Sequence, residues 1–167
     1  MNIIVSVDKN WGIGCRGNLL KRVPEDMKQF REKTLGKVVI MGRRTFESLP
    51  NSKPLKDRTN IIITKNKDYK VEGANVCNSL EEFLEMSKGY KQEDVFIIGG
   101  ESIYRALLKY CSKAYVTKFH KGYTPDTFFP NLDKEKTWKK ISESAKREYE
   151  DLEFIYTVYE NTFTVQL

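Results

Sequence analysis

The chain has little of what several kinds of chemistry require. Among its 167 residues there is one histidine, His120, and there are three cysteines, Cys15, Cys77 and Cys111. A lone imidazole and widely spaced thiols supply neither zinc-ligand spacing nor a nucleophile with an adjacent base, so metal-site and acyl-transfer chemistry are excluded. An odd cysteine count without a C-x-x-C pair gives no disulfide framework, and the expectation is a reduced, cytoplasmic protein. No apolar run approaches the roughly 20 residues that cross a bilayer as a helix, so no membrane association is expected. The first residues, Asn2-Ile3-Ile4-Val5-Ser6-Val7, have the pattern of a strand and lack the basic and long apolar regions of a secretion signal. Internal repeats, low-complexity tracts and linkers are also missing.

What is present suits one packed core. With 40% hydrophobic and 31% charged residues, 167 residues are enough for one such core and short for two, so a single domain over 1–167 is expected. The formal charge of +6 favours anionic partners. The basic residues are scattered, however, and most read as solvated surface rather than as a nucleic-acid track.

Branched apolar runs recur at Ile3 to Val7, Val38 to Met41, Ile61 to Ile63, Val95 to Ile98 and Tyr115 to Thr117. They read as buried strands. Between them, Pro24 to Thr34, Thr45 to Leu49, Leu80 to Ser87 and Ser102 to Cys111 carry apolar residues at helical spacing. Alternating strands and helices predict a largely parallel sheet. The last third differs: a polar, alternating stretch from Trp138 to Glu148, a turn at Glu150-Asp151, and an aromatic strand from Glu153 to Tyr159 predict an antiparallel pair.

Five constellations could carry chemistry. Gly12-Ile13-Gly14-Cys15-Arg16-Gly17 matches G-x-G-x-x-G, but no strand runs straight from it into a helix, so a flexible loop beside a site is the better reading. Asp26 follows Pro24 at a helix start, where a capping role is the plain expectation. It also shares a face with Phe30, beside an apolar stripe of Val23, Met27 and Phe30, where a carboxylate could pair with the amidine-like edge of a planar heteroaromatic. Gly42-Arg43-Arg44-Thr45 follows a buried strand and opens a helix, a phosphate-binding context. Arginines where an NAD site would want an acid favour a 2′-phosphate. Gly99-Gly100, at another strand-to-helix junction, serves either a close ligand approach or merely a tight turn. Arg58, isolated before Asn60 to Thr64, could grip a carboxylate.

In this order, Trp11-Gly12-Ile13-Gly14, Pro24-Glu25-Asp26-Met27, Val39-Ile40-Met41-Gly42-Arg43-Arg44-Thr45, Pro54-Leu55, Arg58-Thr59-Asn60, Ile97-Ile98-Gly99-Gly100 and Asp126-Thr127-Phe128-Phe129-Pro130 closely resemble the dihydrofolate reductase family in its bacterial, single-domain form. The resemblance implies an α/β domain with a central, mainly parallel eight-stranded sheet, a C-terminal antiparallel strand pair and about four flanking helices. It implies NADPH as cofactor, dihydrofolate as substrate, binding of diaminopyrimidine and pteridine antifolates, and a monomer. Asp26 matches the family's active-site carboxylate and Thr117 its supporting hydroxyl. Ile4, Val5, Leu19, Met27, Phe30, Leu49, Leu55, Ile98 and Tyr104 match the apolar lining, and Arg58 the arginine that holds the glutamate tail. Ser6, Ile13, Gly14, Gly42, Arg43, Arg44, Thr45, Thr64, Lys65, Gly99, Gly100, Glu101, Ser102 and Ile103 match the cofactor site, with the glycine pair resembling a cis peptide found there.

Two positions depart from the pattern. Many members have Pro-Trp where this chain has Leu20-Lys21, and Lys21 cannot supply an indole donor beside an apolar wall. Ser102 stands where some carry an arginine, which leaves NADPH preference to Arg43, Arg44 and Lys65. Two other readings compete: a reductase of this fold acting on a pyrimidine, against which Asp26 plus Arg58 favours a folate, and a basic noncatalytic module that stacks single-stranded nucleic acid on exposed aromatics, against which most of the nine tyrosines and nine phenylalanines fall in core-like apolar patterns.

Overall fold

Strands whose successive side chains are all apolar must be covered on both faces, and this requirement shapes the molecule. The computed structural model describes every residue, Met1–Leu167. In chain order the elements are β1 Asn2–Val7, β2 Gly12–Cys15, β3 Asn18–Leu19, α1 Pro24–Thr34, β4 Val38–Gly42, α2 Arg43–Glu47, β5 Thr59–Ile63, β6 Ala74–Cys77, α3 Leu80–Ser87, β7 Val95–Gly99, α4 Glu101–Leu107, β8 Lys113–Phe119, β9 Thr127–Phe128, β10 Trp138–Glu143, β11 Arg147–Tyr149 and β12 Leu152–Asn161. Eight strands form the main sheet in the order β10-β12-β8-β1-β7-β4-β5-β6, and β11 joins its edge as a ninth by pairing with β12. From β8 through β1, β7, β4 and β5 to β6 every pairing is parallel; β12 is antiparallel to β8, β10 and β11.

Period-two alternation sorts each strand between two cores. Ile3, Val5, Val7, Val38, Ile40, Ile61, Val95, Ile97, Ala114 and Val116 pack with Phe83 of α3 and with Tyr104 and Leu107 of α4. Val39, Met41, Ile62 and Phe96 face the other way, onto Phe46 of α2. On that second face, toward β12, Val23 packs with Phe119, Leu152 and Phe154 and carries the start of α1.

Some local expectations need correction. The glycine-rich segment is a hairpin rather than a flexible loop: β2 pairs with both β3 and β9, and the turn at Arg16-Gly17 has two positive φ values, 50° and 78°, the pattern of a type I′ turn. A strand at Ala74–Cys77 escaped the pattern because its short alternation, with Asn75 exposed, offers no apolar run. Helix α2 starts earlier than the apolar spacing suggested, at Arg43, and its C-cap is Ser48, with Pro50 close behind. Helix α4 runs Glu101–Leu107 and tightens into a 3-10 turn at Leu108–Tyr110. The polar stretch near the C-terminus is two strands, β10 and β11, while the turn at Glu150-Asp151 lies where expected, with Glu150 at φ 54°.

Candidate active site

Helix α1 crosses the β1–β8–β12 part of the sheet, and the in-register pairing of Ser6 with Thr117 places two hydroxyls beneath its first turn. Both reach Asp26. Ser6 Oγ donates to Asp26 Oδ2 at 2.5 Å and Thr117 Oγ1 donates to Oδ1 at 2.6 Å. The carboxylate therefore does not cap its own helix, whose N-cap, Val23, also makes no side-chain cap bond. Burial pushes the Asp26 carboxyl up from the ordinary aspartate range. The Ser6 and Thr117 hydrogen bonds oppose that rise and the charge of Glu25 adds to it. Such an acid holds its proton more tightly than a surface aspartate, and when ionised it favours a cationic partner on its open side.

From Asp26 to Thr34 is eight residues, or about 12 Å along the helix. At the far end Arg58 is held by its own neighbourhood: Nε donates to Thr34 Oγ1 at 3.2 Å and one terminal nitrogen to the Lys56 carbonyl at 2.7 Å. Arg31 stands close enough to depress the Arg58 guanidinium further, after partial burial, so positive charge concentrates there. A carboxylate at one end of α1 and a basic pair at the other suit a ligand with a hydrogen-bond-donating ring and an anionic tail. Between them Phe30 is half-buried and Met27 is exposed at 37%, so Met27 does not join the buried stripe expected from its spacing. Across from α1, Ile4, Leu49, Leu55 and Ile98 pack against the second core. Leu19 lies on β3 with 52% exposure. Val5 is turned to the opposite face of the sheet, into the first core, so only its backbone can serve this side. Tyr104 is likewise buried there, and its hydroxyl donates to the Ile4 carbonyl at 2.9 Å, fixing the β1 backbone.

A second group of residues gathers at the C-terminal ends of β4, β7 and β5. Met41 of β4 is opposite Gly99 of β7, which brings the openings of α2 and α4 side by side. The Gly99–Gly100 peptide bond is cis. Glycine keeps this junction open: a Cβ on Gly42 would come within 3.2 Å of Ile103, and one on Gly100 within 3.3 Å of Thr45 Oγ1. Arg43 pairs with Glu47 at 3.5 Å and lies 5.8 Å from the Tyr69 ring, Arg44 is exposed, and Thr64 and Lys65 follow β5 alongside. Glycine-opened backbone flanked by two arginines and a lysine fits a dinucleotide phosphate, including an extra one on the ribose. Glu101 ties the junction to the small sheet, taking a hydrogen bond from the Phe128 amide at 3.0 Å, while Ser102 is exposed. Gly14, on β2, accepts from the Asp126 amide at 2.9 Å, and Ile13 packs on the first core.

Lys21 is engaged outside the Asp26 hydrogen-bond cluster. Its ammonium lies 2.5 Å from Glu150 and 5.6 Å over the Tyr149 ring, so it braces the β11–β12 turn. Two contributions to the Asp26 cluster escaped the sequence reading, which had placed Ser6 with the cofactor site and gave Tyr156 no site role. The hydroxyl of Ser6 belongs with Asp26, which the bare alternation of β1 does not indicate. Tyr156, read only as an aromatic strand residue, is the cross-strand partner of Thr117 on the face toward α1. Neither was legible without register.

The family model for dihydrofolate reductase matches residues 1–161. Dihydrofolate reductase of Bacillus subtilis is 35% identical over 162 residues, covering 96% of this chain and 94% of its own length. That of the insect Heliothis virescens is 39% identical over 150 residues, 81% of each chain. Among solved structures, dihydrofolate reductase from Enterococcus faecalis, complexed with NADP(H) and RAB-propyl, superposes with a TM-score of 0.85 at 33% identity, covering 96% of this chain and 95% of that one. The chain belongs to the dihydrofolate reductase family, and with that membership it is an NADPH-dependent oxidoreductase.

Proposed function

We propose that this single-domain protein, acting as a monomer in the cytoplasm, reduces 7,8-dihydrofolate to 5,6,7,8-tetrahydrofolate and so supplies one-carbon metabolism and thymidylate synthesis. The observation that carries this reading is the carboxylate of Asp26, drawn into a poorly solvated site by two hydroxyls, 2.5 and 2.6 Å away, from strands that α1 crosses. Asp26 accepts the 2-amino group and N3 of the pteridine, and Thr117 with Ser6 holds its oxygens in place. Arg58 binds the glutamate carboxylate at the other end of α1. Ile4, Met27, Phe30, Leu49, Leu55 and Ile98, with Leu19 on the hairpin, keep water from the ring between them, which strengthens every charge interaction inside.

NADPH, when bound, supplies the hydride that C6 of the pteridine accepts. Gly42, Arg43, Arg44, Thr45, Thr64 and Lys65 would hold its phosphates, and Gly99 to Ile103 with Ile13 and Gly14 would line the rest of its site. N5 must gain a proton for C6 to become a good acceptor. Asp26 favours that cationic ring electrostatically, and the proton arrives from water that the Gly12–Leu20 hairpin admits. With Lys21 engaged by Glu150, the indole donor of many relatives has no substitute at this position. Diaminopyrimidine and pteridine antifolates, whose protonated rings carry the same donor edge, are expected to compete at Asp26.

The assay is spectrophotometric: NADPH oxidation should depend on added dihydrofolate and stop with a diaminopyrimidine antifolate. Oxidation driven instead by an aminopyrimidine without a benzoylglutamate tail would favour the neighbouring reductase class and overturn the folate assignment.

A further inference from the structure

Asp26 takes hydrogen bonds from Ser6 and Thr117, and a third polar group stands beside Thr117. Tyr156 stands directly across from Thr117 in the β12–β8 ladder, so both side chains project from the same face toward α1. Its hydroxyl is buried and has no partner anywhere in the protein. A buried phenol without a hydrogen bond is costly, which calls for a partner that fits the surroundings. A small cavity of about 40 Å³ between α1 and the sheet has Tyr156, Gln29, Lys33 and Tyr115 in its wall together with Thr117, whose hydroxyl is bonded to Asp26. That is room for an ordered water and a polar place to keep it, since a water needs only about 10–15 Å³ and two to four partners. We propose that Tyr156 is a positioning residue for Asp26, its hydroxyl donating to a water that in turn donates to the carboxylate, a third hydrogen bond behind those of Ser6 and Thr117.

The surrounding charges agree with this assignment. Burial first, then the negative charges of Asp26 and Glu25, push the Tyr156 phenol up to about 12, so it remains a donor wherever the protein is folded and active. Arg147 lies 5.3 Å from the Tyr156 ring and also pairs with Glu25, which fixes the ring beside the helix start. The charge that acts on Asp26 is Glu25 on its own helix, and Tyr156 on β12 feels both carboxylates; Arg147 on β11 faces Tyr156 and Glu25, while Lys33 lies over the Tyr115 ring two turns further along α1. From β1 and β8 come only the hydroxyls of Ser6 and Thr117. A hydrogen bond delivered to the charged form favours ionisation and counters part of the burial effect on Asp26.

The proposal rests on the folate reading for its catalytic meaning, but its test does not need turnover. The carboxylate carbon of Asp26 is followed by NMR against pH in the wild-type chain, in Tyr156→Phe, and in protein with 3-fluorotyrosine at position 156, whose more acidic hydroxyl is a stronger donor. Losing the water-borne hydrogen bond should raise the Asp26 midpoint by roughly half to one pH unit, and 3-fluorotyrosine should lower it. The acidic limb of the kcat/KM profile for dihydrofolate should move in the same directions. An unchanged Asp26 midpoint in both proteins overturns the proposal, whatever happens to activity. Should the midpoint move while Asp26→Asn leaves turnover untouched, the folate mechanism fails and the positioning role of Tyr156 stands.

Discussion

The two ends of the site are built on opposite principles. Around Asp26 the polar groups are few, buried or half-buried and joined by short hydrogen bonds from distant strands, Ser6 and Thr117 lying 20 and 91 residues away in sequence. Around Gly42 to Thr45 the charges are several, open to solvent and adjacent in the chain, with only Glu47 shared by Arg43. In the first region removing one atom should be expensive, because low polarity magnifies a single charge. In the second, solvent and neighbouring cations should spread the loss.

The sharpest way to break this comparison is Asp26→Asn, which keeps shape and removes charge. Turnover of dihydrofolate at neutral pH should fall by roughly 10²–10⁴, the range for a positioned acid-base group. A steady-state assay showing turnover within a few-fold of wild type would remove Asp26 from its role. At the exposed end the expected effect is smaller. Arg43→Gln should raise the KM for NADPH by about tenfold, in keeping with the loss of one charged hydrogen bond, and leave that for NADH nearly unchanged. Equal effects on the two cofactors would place the extra phosphate elsewhere.

The smallest effect concerns stability and has a definite sign. Because burial raises the Asp26 pKa in the fold above its unfolded value, the folded chain binds the proton more tightly. Its contribution is therefore fully present below the ordinary aspartate range, near pH 3.9, and is lost as pH rises through the raised value. Against Asp26→Asn, the wild-type chain should be relatively more stable at pH 4 than at pH 8 in urea unfolding. A gap between the two chains that stays constant, or opens the other way, would mean that Asp26 is not desolvated in the folded protein.

The parallel part of the sheet was legible because doubly buried strands must be apolar at every position, as Val38 to Met41 and Val95 to Ile98 are. The small antiparallel sheet was not: β2 is held by pairing with Asn18–Leu19 and with Thr127–Phe128, more than 100 residues on, and its glycines hide the strand pattern. The strand-to-helix junction at Gly42 and Arg43 was legible from sequence because it is local, β4 ending at Gly42 and α2 opening at Arg43. Val5 and Tyr104 were assigned as lining, whereas the pleat of β1 and the packing of α4 turn them to the other face.

By itself the sequence determined the strand and helix alternation, the short motifs that mark the family, and the acid at position 26, all properties of neighbouring residues. Only the tertiary structure decided what that acid touches. Ser6, Thr117 and Tyr156 meet α1 through strand register, and register is a property of the whole sheet that no single segment encodes.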